Sequence, residues 1–275
     1  MKRSCVANVN IHCTILLLII RIATSHINAQ DWEERTDWEH FFTEADVQGT
    51  IAIADERRNR HFVFNTERSA TGYVPASTFK IPHTLFALDA GIVENEFQTF
   101  NWDGIERPFP SWNRDQDLRS AIHSSTVWVY QLFARQLGEE RESEYLSKIG
   151  YGNADTSGGI ERFWLDGGLR ISALEQIDFL KKLYRNTLPF KVEHQRLVKD
   201  LIIIEAGRDW VLSGKTGWVF DFEPQIGWFV GWIETPDGPV FFALNIDMPD
   251  GANDVTKRAA IVRDVLLSLR TFPDN

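Results

Sequence analysis

Cysteine is nearly missing from this 275-residue chain: the two present, Cys5 and Cys13, both lie close to the N-terminus. If that segment is cut away on export, thiol nucleophiles, disulfides and cysteine-ligated zinc are excluded from what remains. The seven histidines include no pair at metal-ligand spacing, and His-Glu-x-x-His is absent. Asp247, Asp250, Gly251 and Asp254 crowd one stretch but lack the alternating ligand spacing of a calcium loop. The expected metal content is therefore none. Blocks of basic residues are also lacking, and the net charge is −10, which argues against nucleic acid or an anionic membrane as partner. No repeat and no low-complexity segment interrupts the chain.

The N-terminus reads differently from the rest. Lys2 and Arg3 precede the apolar run Ile15 to Ile20, and Arg21 closes that run before polar and small residues follow. The run is too short for a good membrane span and has the shape of a secretory signal peptide. Cleavage is expected after Ala29, leaving Gln30 first, with Ser25 as the rival site. The leader holds three of the 29 basic residues and none of the 39 acidic ones, so the mature chain is more acidic still. The expectation is a leader over 1–29 and a single catalytic domain over 30–275, exported to the periplasm with no membrane anchor after cleavage.

The stretch that organises the remainder is Pro75-Ala76-Ser77-Thr78-Phe79-Lys80-Ile81-Pro82, running on to Gly91. Pro75 and the small polar residues suit a helix start, Pro82 is tolerable in the first two turns, and Gly91 suits the stop. Ser77 and Lys80, at i and i+3, share a helix face. A lysine pressed against apolar neighbours can lose its proton and serve as base for a serine nucleophile. Ser-x-x-Lys alone is a weak signal, because common residues recur at this spacing by chance.

Elsewhere the pattern gives a short helix over Trp32 to Phe42, a hairpin from Gly49–Asp55 and His61–Asn65, and a mostly helical middle. The clearest middle helices span Asp117 to Gly138 and Ser172 to Asn186. Strands return at Trp210–Ser213, Lys215–Trp218, Gly227–Glu234 and Val240–Ile246, the last two joined through Pro236-Asp237-Gly238-Pro239. A final helix capped by Asn253 or Asp254 carries Ile261, Val262, Val265, Leu266 and Leu269. The expected fold is α+β: a mostly antiparallel sheet lobe (about 30–90 and 208–275) with flanking helices, and an inserted helical lobe (about 91–207).

Three further motifs follow in order: Ser125-Thr126-Val127, Tyr151-Gly152-Asn153 and Lys215-Thr216-Gly217, with Trp164-Leu165 between the last two. With Ser77-Thr78-Phe79-Lys80 they resemble the motifs of the penicillin-recognising serine acyltransferases, and most closely those of the class D β-lactamases, the oxacillinases. The resemblance covers essentially the whole mature chain. It implies a β-lactamase/DD-peptidase-like fold and hydrolysis of penicillins, including oxacillin-type ones, through an acyl-Ser77 intermediate. In that scheme Ser125 and Lys215 carry the proton toward the leaving nitrogen. The backbone N–H groups of Ser77 and Trp218 form the oxyanion hole. Val127, Leu165, Thr216, Gly217 and Arg258 contact substrate.

The class A glutamate pattern is absent, because Glu161 is followed by Arg162, Phe163, Trp164 and Leu165. The family resemblance instead makes Lys80 an N6-carboxylysine, with CO₂ bound as a carbamate, no separate cofactor, and the Trp164 indole N–H supporting it. Val127 would help keep that pocket dry. The alternatives are a penicillin-binding sensor domain or a transpeptidase, which acylate without release. His83 reads as a buried structural histidine and Tyr151 as a wall residue. Trp112 and Trp128 could line the cleft or fill the core, and a homodimer stays open.

Overall fold

The computed structural model describes residues 32–272, so the leader reading and both cysteines lie outside the described residues. Among those residues no helix is long and apolar enough to cross a membrane.

The chain enters through a two-residue strand β1 (Glu33–Glu34), a 3-10 turn at Thr36–Trp38 and helix α1 (Glu39–Glu44). The single helix expected over Trp32 to Phe42 is thus split. Trp38 is nevertheless buried, at 1% exposure, and Phe42 at 2%. The hairpin β2 (Gly49–Asp55) and β3 (Arg60–Phe64) follows, then a short α2 (Thr66–Ala70) and the Ser77 element, a 3-10 turn at Ala76–Phe79 continued by α3 (Lys80–Asp89). Residues Lys80 to Leu88 are all buried, so α3 is a helix enclosed on every side rather than an amphipathic one.

Where one helix was expected over Asp117 to Gly138 there are two, α4 (Leu118–His123) and α5 (Val127–Leu137). Asp117 and Ser120 form a reciprocal capping box that starts α4. The break falls at Ser125, whose φ of +55° no α-helix accepts. Next come α6 (Glu139–Ile149), α7 (Ala173–Tyr184), capped by Ser172 with Glu175, and α8 (Val192–Leu201).

Strand β4 (Ile203–Ala206) then joins β5 (Val211–Val219), β6 (Ile226–Thr235) and β7 (Gly238–Asp247). The last helix, α9 (Lys257–Ser268), is preceded by a 3-10 turn at Gly251–Asp254 and lacks the expected side-chain cap. Asp254 is occupied otherwise: its Oδ2 accepts from the Asp250 N–H at 2.8 Å and its Oδ1 lies 2.7 Å from Lys257 Nζ.

The seven strands form one sheet in the order β1-β3-β2-β7-β6-β5-β4, antiparallel except for β1 on β3. Both faces are covered, and adjacent side chains feed opposite layers, as a period of two requires. Phe241 packs with the core that holds α3, α5 and α7, whereas Phe242 packs with Trp38 of the first 3-10 turn, Phe42 of α1, and Val262 and Leu266 of α9. The sheet is therefore the middle layer, and the Ser77 turn sits where β5 meets the helical lobe.

Candidate active site

The chain reaches Ser77 through a strained turn. Ala76 lies at φ +47°, a left-handed conformation that costs an L-residue about 1–2 kcal/mol. The turn is held from inside the helical lobe. The Thr78 hydroxyl donates to the Pro75 carbonyl at 2.8 Å and accepts from Gln176 Nε2 at 3.0 Å, and the same amide donates to the Tyr151 hydroxyl at 3.3 Å. Strand β5 closes on it from the other side. A Cβ added to Gly217 would lie 2.9 Å from the Pro75 carbonyl oxygen and 3.3 Å from Thr78 Cγ2. Glycine in Lys-Thr-Gly is what lets the strand come that close.

Lys80 has no solvent exposure, and its Nζ donates to Ser77 Oγ at 3.0 Å. The Tyr130 ring centroid stands 4.9 Å from the same Nζ, and the Tyr130 hydroxyl is 3.0 Å from Thr84 Oγ1. Burial first, and then the charge of Lys215, pull the Lys80 amine well below its ordinary pKa. That loosens the amine's hold on its proton, within reach of a half-buried hydroxyl. The ring against the amine belongs to Tyr130, one turn along α5 from Val127; Val127 itself is half-buried at the start of that helix.

The break between α4 and α5 serves a second lysine. Lys215 Nζ donates to Ser125 Oγ at 2.5 Å and to the Thr216 carbonyl at 3.1 Å. Burial and then the Arg258 charge lower the Lys215 pKa to about 7. Trp112 Nε1 donates to the Ser124 carbonyl at 2.8 Å, and Trp128 Nε1 donates to the Trp112 carbonyl at 3.0 Å. Both tryptophans thus brace the Ser125 turn.

The Gly214 N–H donates to the Ile202 carbonyl on the β4 side at 2.8 Å. Backbone groups alternate along an antiparallel strand, so the N–H groups of Thr216 and Trp218 also turn away from β6, toward the Ser77 side. The Trp218 indole packs on the opposite face of the sheet from Lys215 and donates to Gln225 Oε1 at 2.8 Å. Arg258 on α9 is 8% exposed and donates from Nη1 to the Gly217 carbonyl at 2.6 Å and from Nε to the Val255 carbonyl at 2.9 Å. Burial lowers its pKa to about 10. A cavity of ≈ 240 Å³ opens beside Lys215 and Thr216, walled by Ile122, His123, Leu201 and Ile202 among others.

Trp164 sits in an irregular loop that Tyr151-Gly152-Asn153 ties down. Gly152 is at φ +55°, and a Cβ there would collide with the Arg170 carbonyl oxygen. The Asn153 side chain accepts from the Arg170 N–H at 2.9 Å and donates to the Gly168 carbonyl at 3.0 Å. The indole itself is fully buried beside Phe79 and Phe163, and its Nε1 has no hydrogen-bond partner. Leu165 is half-buried next to it.

The motif residues thus form two Ser–Lys contacts, Ser77 with Lys80 and Ser125 with Lys215, joined by Thr216, Gly217 and Arg258. The residues hardest to anticipate were Tyr130, Thr84 and Gln176, which belong to no motif and are recognised only once folding sets them beside the motifs. The decoys are occupied with structure. His83 pairs with Glu142, and Asp247 pairs with Arg68 at 2.7 Å. Among the described residues no cluster of three or more His, Cys, Asp or Glu is placed to hold a metal.

Comparison with known proteins narrows the chemistry. The family model of the penicillin-binding protein transpeptidase domain matches residues 42–267. The chain is 59% identical to β-lactamase OXA-3 of Pseudomonas aeruginosa over 88% of this chain and 87% of that protein. It is 56% identical to β-lactamase OXA-2 of Salmonella typhimurium over 95% and 94%. Among solved structures it is similar to FUS-1 (OXA-85), a class D β-lactamase from Fusobacterium nucleatum subsp. polymorphum. That match has a TM-score of 0.83 and 40% identity, covering 86% of this chain and 98% of that one.

Proposed function

We propose how this chain, which belongs to the class D serine β-lactamases and is a β-lactam hydrolase, carries that hydrolysis out: Ser77 attacks the lactam carbonyl, and Lys80, carboxylated by CO₂, takes the serine proton and later activates the deacylating water. The observation that carries this reading is the Lys80 amine, fully buried and 3.0 Å from Ser77 Oγ. Carboxylation needs a neutral amine, and burial shifts Lys80 toward that form. A buried carboxylate also needs donors, and the unpartnered Trp164 N–H is available in the same wall of aromatic rings. When present, the carbamate supplies a carboxylate base that a bare lysine lacks.

The remaining roles follow from position. Once the lactam nitrogen leaves, Lys215, 2.5 Å from Ser125 and with a pKa of about 7, can hold or release a proton at neutral pH. The backbone N–H groups of Ser77 and Trp218 receive the oxyanion. Thr216, Lys215 and Arg258 hold the substrate carboxylate, while Val127 and Leu165 make apolar contact with substrate. Penicillins, oxacillin-type ones included, are the proposed substrates. Reading Met1 to Ala29 as an export leader places the reaction in the periplasm, which N-terminal sequencing of the exported protein tests by whether it begins at Gln30.

The decisive experiment is burst and steady-state hydrolysis of a chromogenic β-lactam, with CO₂ depleted at mildly acid pH and then with bicarbonate restored. Turnover that falls and recovers supports a carboxylated Lys80. Turnover indifferent to bicarbonate leaves Lys80 acting as a plain amine.

A further inference from the structure

A second buried ionisable pair lies one layer behind Lys80, and the reaction as derived makes no use of it. His83, one turn along α3 from Lys80, places Nε2 2.7 Å from Glu142 Oε1 of α6, and both side chains have no solvent exposure. The approach lies off the hydrogen-bond axis, since neither group satisfies hydrogen-bond geometry. A buried His–Glu pair is net neutral only with one proton held between its members, and it still gives up hydration that an apolar pair would not. Leu146 and Ile149 already anchor the buried face of α6. Packing alone would be served at least as well by two hydrocarbons.

What the imidazole touches suggests its use. Its ring lies 5.7 Å from Tyr130 and 5.3 Å from Trp164, edge-on to the latter, with Phe79 at 5.0 Å completing the contact. Tyr130 is the ring that faces the Lys80 amine, and Trp164 is the ring with the unpartnered N–H. The close contact ties α3 to α6 at the imidazole and so fixes where that ring lies, and the ring in turn bears on both neighbours.

We infer that His83 and Glu142 are a positioning pair, which sets the Tyr130 and Trp164 rings around Lys80 and thereby how readily that amine takes up CO₂. The inference rests on the carboxylated-lysine reading. In the uptake step a bond forms between Nζ and the carbon of CO₂, and the proton released from nitrogen passes to the buffer.

The test uses the whole enzyme, with Glu142→Gln and the double variant His83→Phe/Glu142→Leu. Carbamate is followed by ¹³C NMR as labelled bicarbonate is titrated, and thermal midpoints are recorded alongside. The half-saturating bicarbonate should rise roughly tenfold in both variants, the scale on which groups behind a ligand usually act. The double variant should melt no lower than the parent. A purely structural pair would lower the melting point and leave half-saturation unchanged, and that result overturns the inference. Should the double variant fail to fold, Glu142→Gln decides alone. Absence of a carbamate signal in the parent at saturating bicarbonate overturns the Lys80 reading itself, and this inference with it, before any variant is compared.

Discussion

The Lys80 amine lies 3.0 Å from the Ser77 hydroxyl inside a wall that admits no solvent to the lysine. The contact joins the 3-10 turn at Ala76–Phe79 to the first residue of α3, so its geometry depends on how that turn is held. Gln176 holds it from α7, and β5 holds it through the close approach of Gly217 to Pro75.

The glycine of Lys-Thr-Gly is accordingly a spacer. Gly217→Ala puts a methyl 2.9 Å from the Pro75 oxygen, and backbone must yield, because no flexible side chain is there to move. We expect kcat/KM to fall about 10²-fold, the usual consequence of displacing reacting groups by about 1 Å. A change below threefold in steady-state assays would show that the strand and the turn can separate without harm.

Lys215 sets function against stability. Its pKa drops from 10.5 unfolded to about 7 folded. Between those values the unfolded chain binds a proton that the folded chain does not, so stability rises with pH across that window. Below about pH 7 the folded protein carries the full cost of a buried cation, and above 10.5 the cost is gone. Lys215→Met should therefore abolish turnover yet stabilise the fold near neutral pH by about 0.5–2 kcal/mol, the usual gain when a functional compromise is removed. Urea titrations at pH 7 and pH 10 check it, and the gain should shrink at the higher pH. A loss of stability at pH 7 would mean that the Ser125 and Thr216 hydrogen bonds outweigh the buried charge.

The motifs were legible because each is a short run whose chemistry depends on side-chain type. The late strands were legible because Phe241 and Phe242 sit in a run bounded by clear turn residues. What stayed hidden depended on single backbone angles or distant partners. The break at Ser125 is one such case: Val127, Tyr130, Phe133 and Leu137 keep helical spacing, and nothing in Ser124-Ser125-Thr126 announces a φ of +55°. The Asp254 cap failed because Lys257 and the Asp250 N–H compete for its carboxylate. Tyr130 and Gln176 reach the site from α5 and α7, across sequence separations that periodicity does not register.

Arg258 acts on Lys215 through space, besides the substrate contact proposed for it. Its positive charge is the second cause, after burial, of the lowered Lys215 pKa. Arg258→Leu should raise KM for substrates bearing a carboxylate roughly tenfold, the worth of one hydrogen bond to a charged group. It should also move the inflection belonging to Lys215 in the pH–rate profile to higher pH, since a repelling charge is gone. Arg258→Lys keeps the charge and should leave that inflection near its original place. Identical pH profiles for the Leu variant and the parent would confine Arg258 to bracing the Gly217 carbonyl.

Trp164 separates ring from donor. Its indole is fully buried against Phe79 and Phe163, with an N–H that finds no acceptor among the described residues. An orphaned buried donor costs about 1–3 kcal/mol, so Trp164→Phe should not destabilise the fold through that group, although the smaller ring leaves space. If the N–H serves a carboxylated Lys80, the variant should deacylate more slowly by about tenfold while acylation changes less, and added bicarbonate should restore part of the loss. Stopped-flow acylation and steady-state turnover measured on one substrate give both rates. Equal slowing of the two steps, unmoved by bicarbonate, would assign Trp164 to the packing of the wall and leave the water-activating base without its donor.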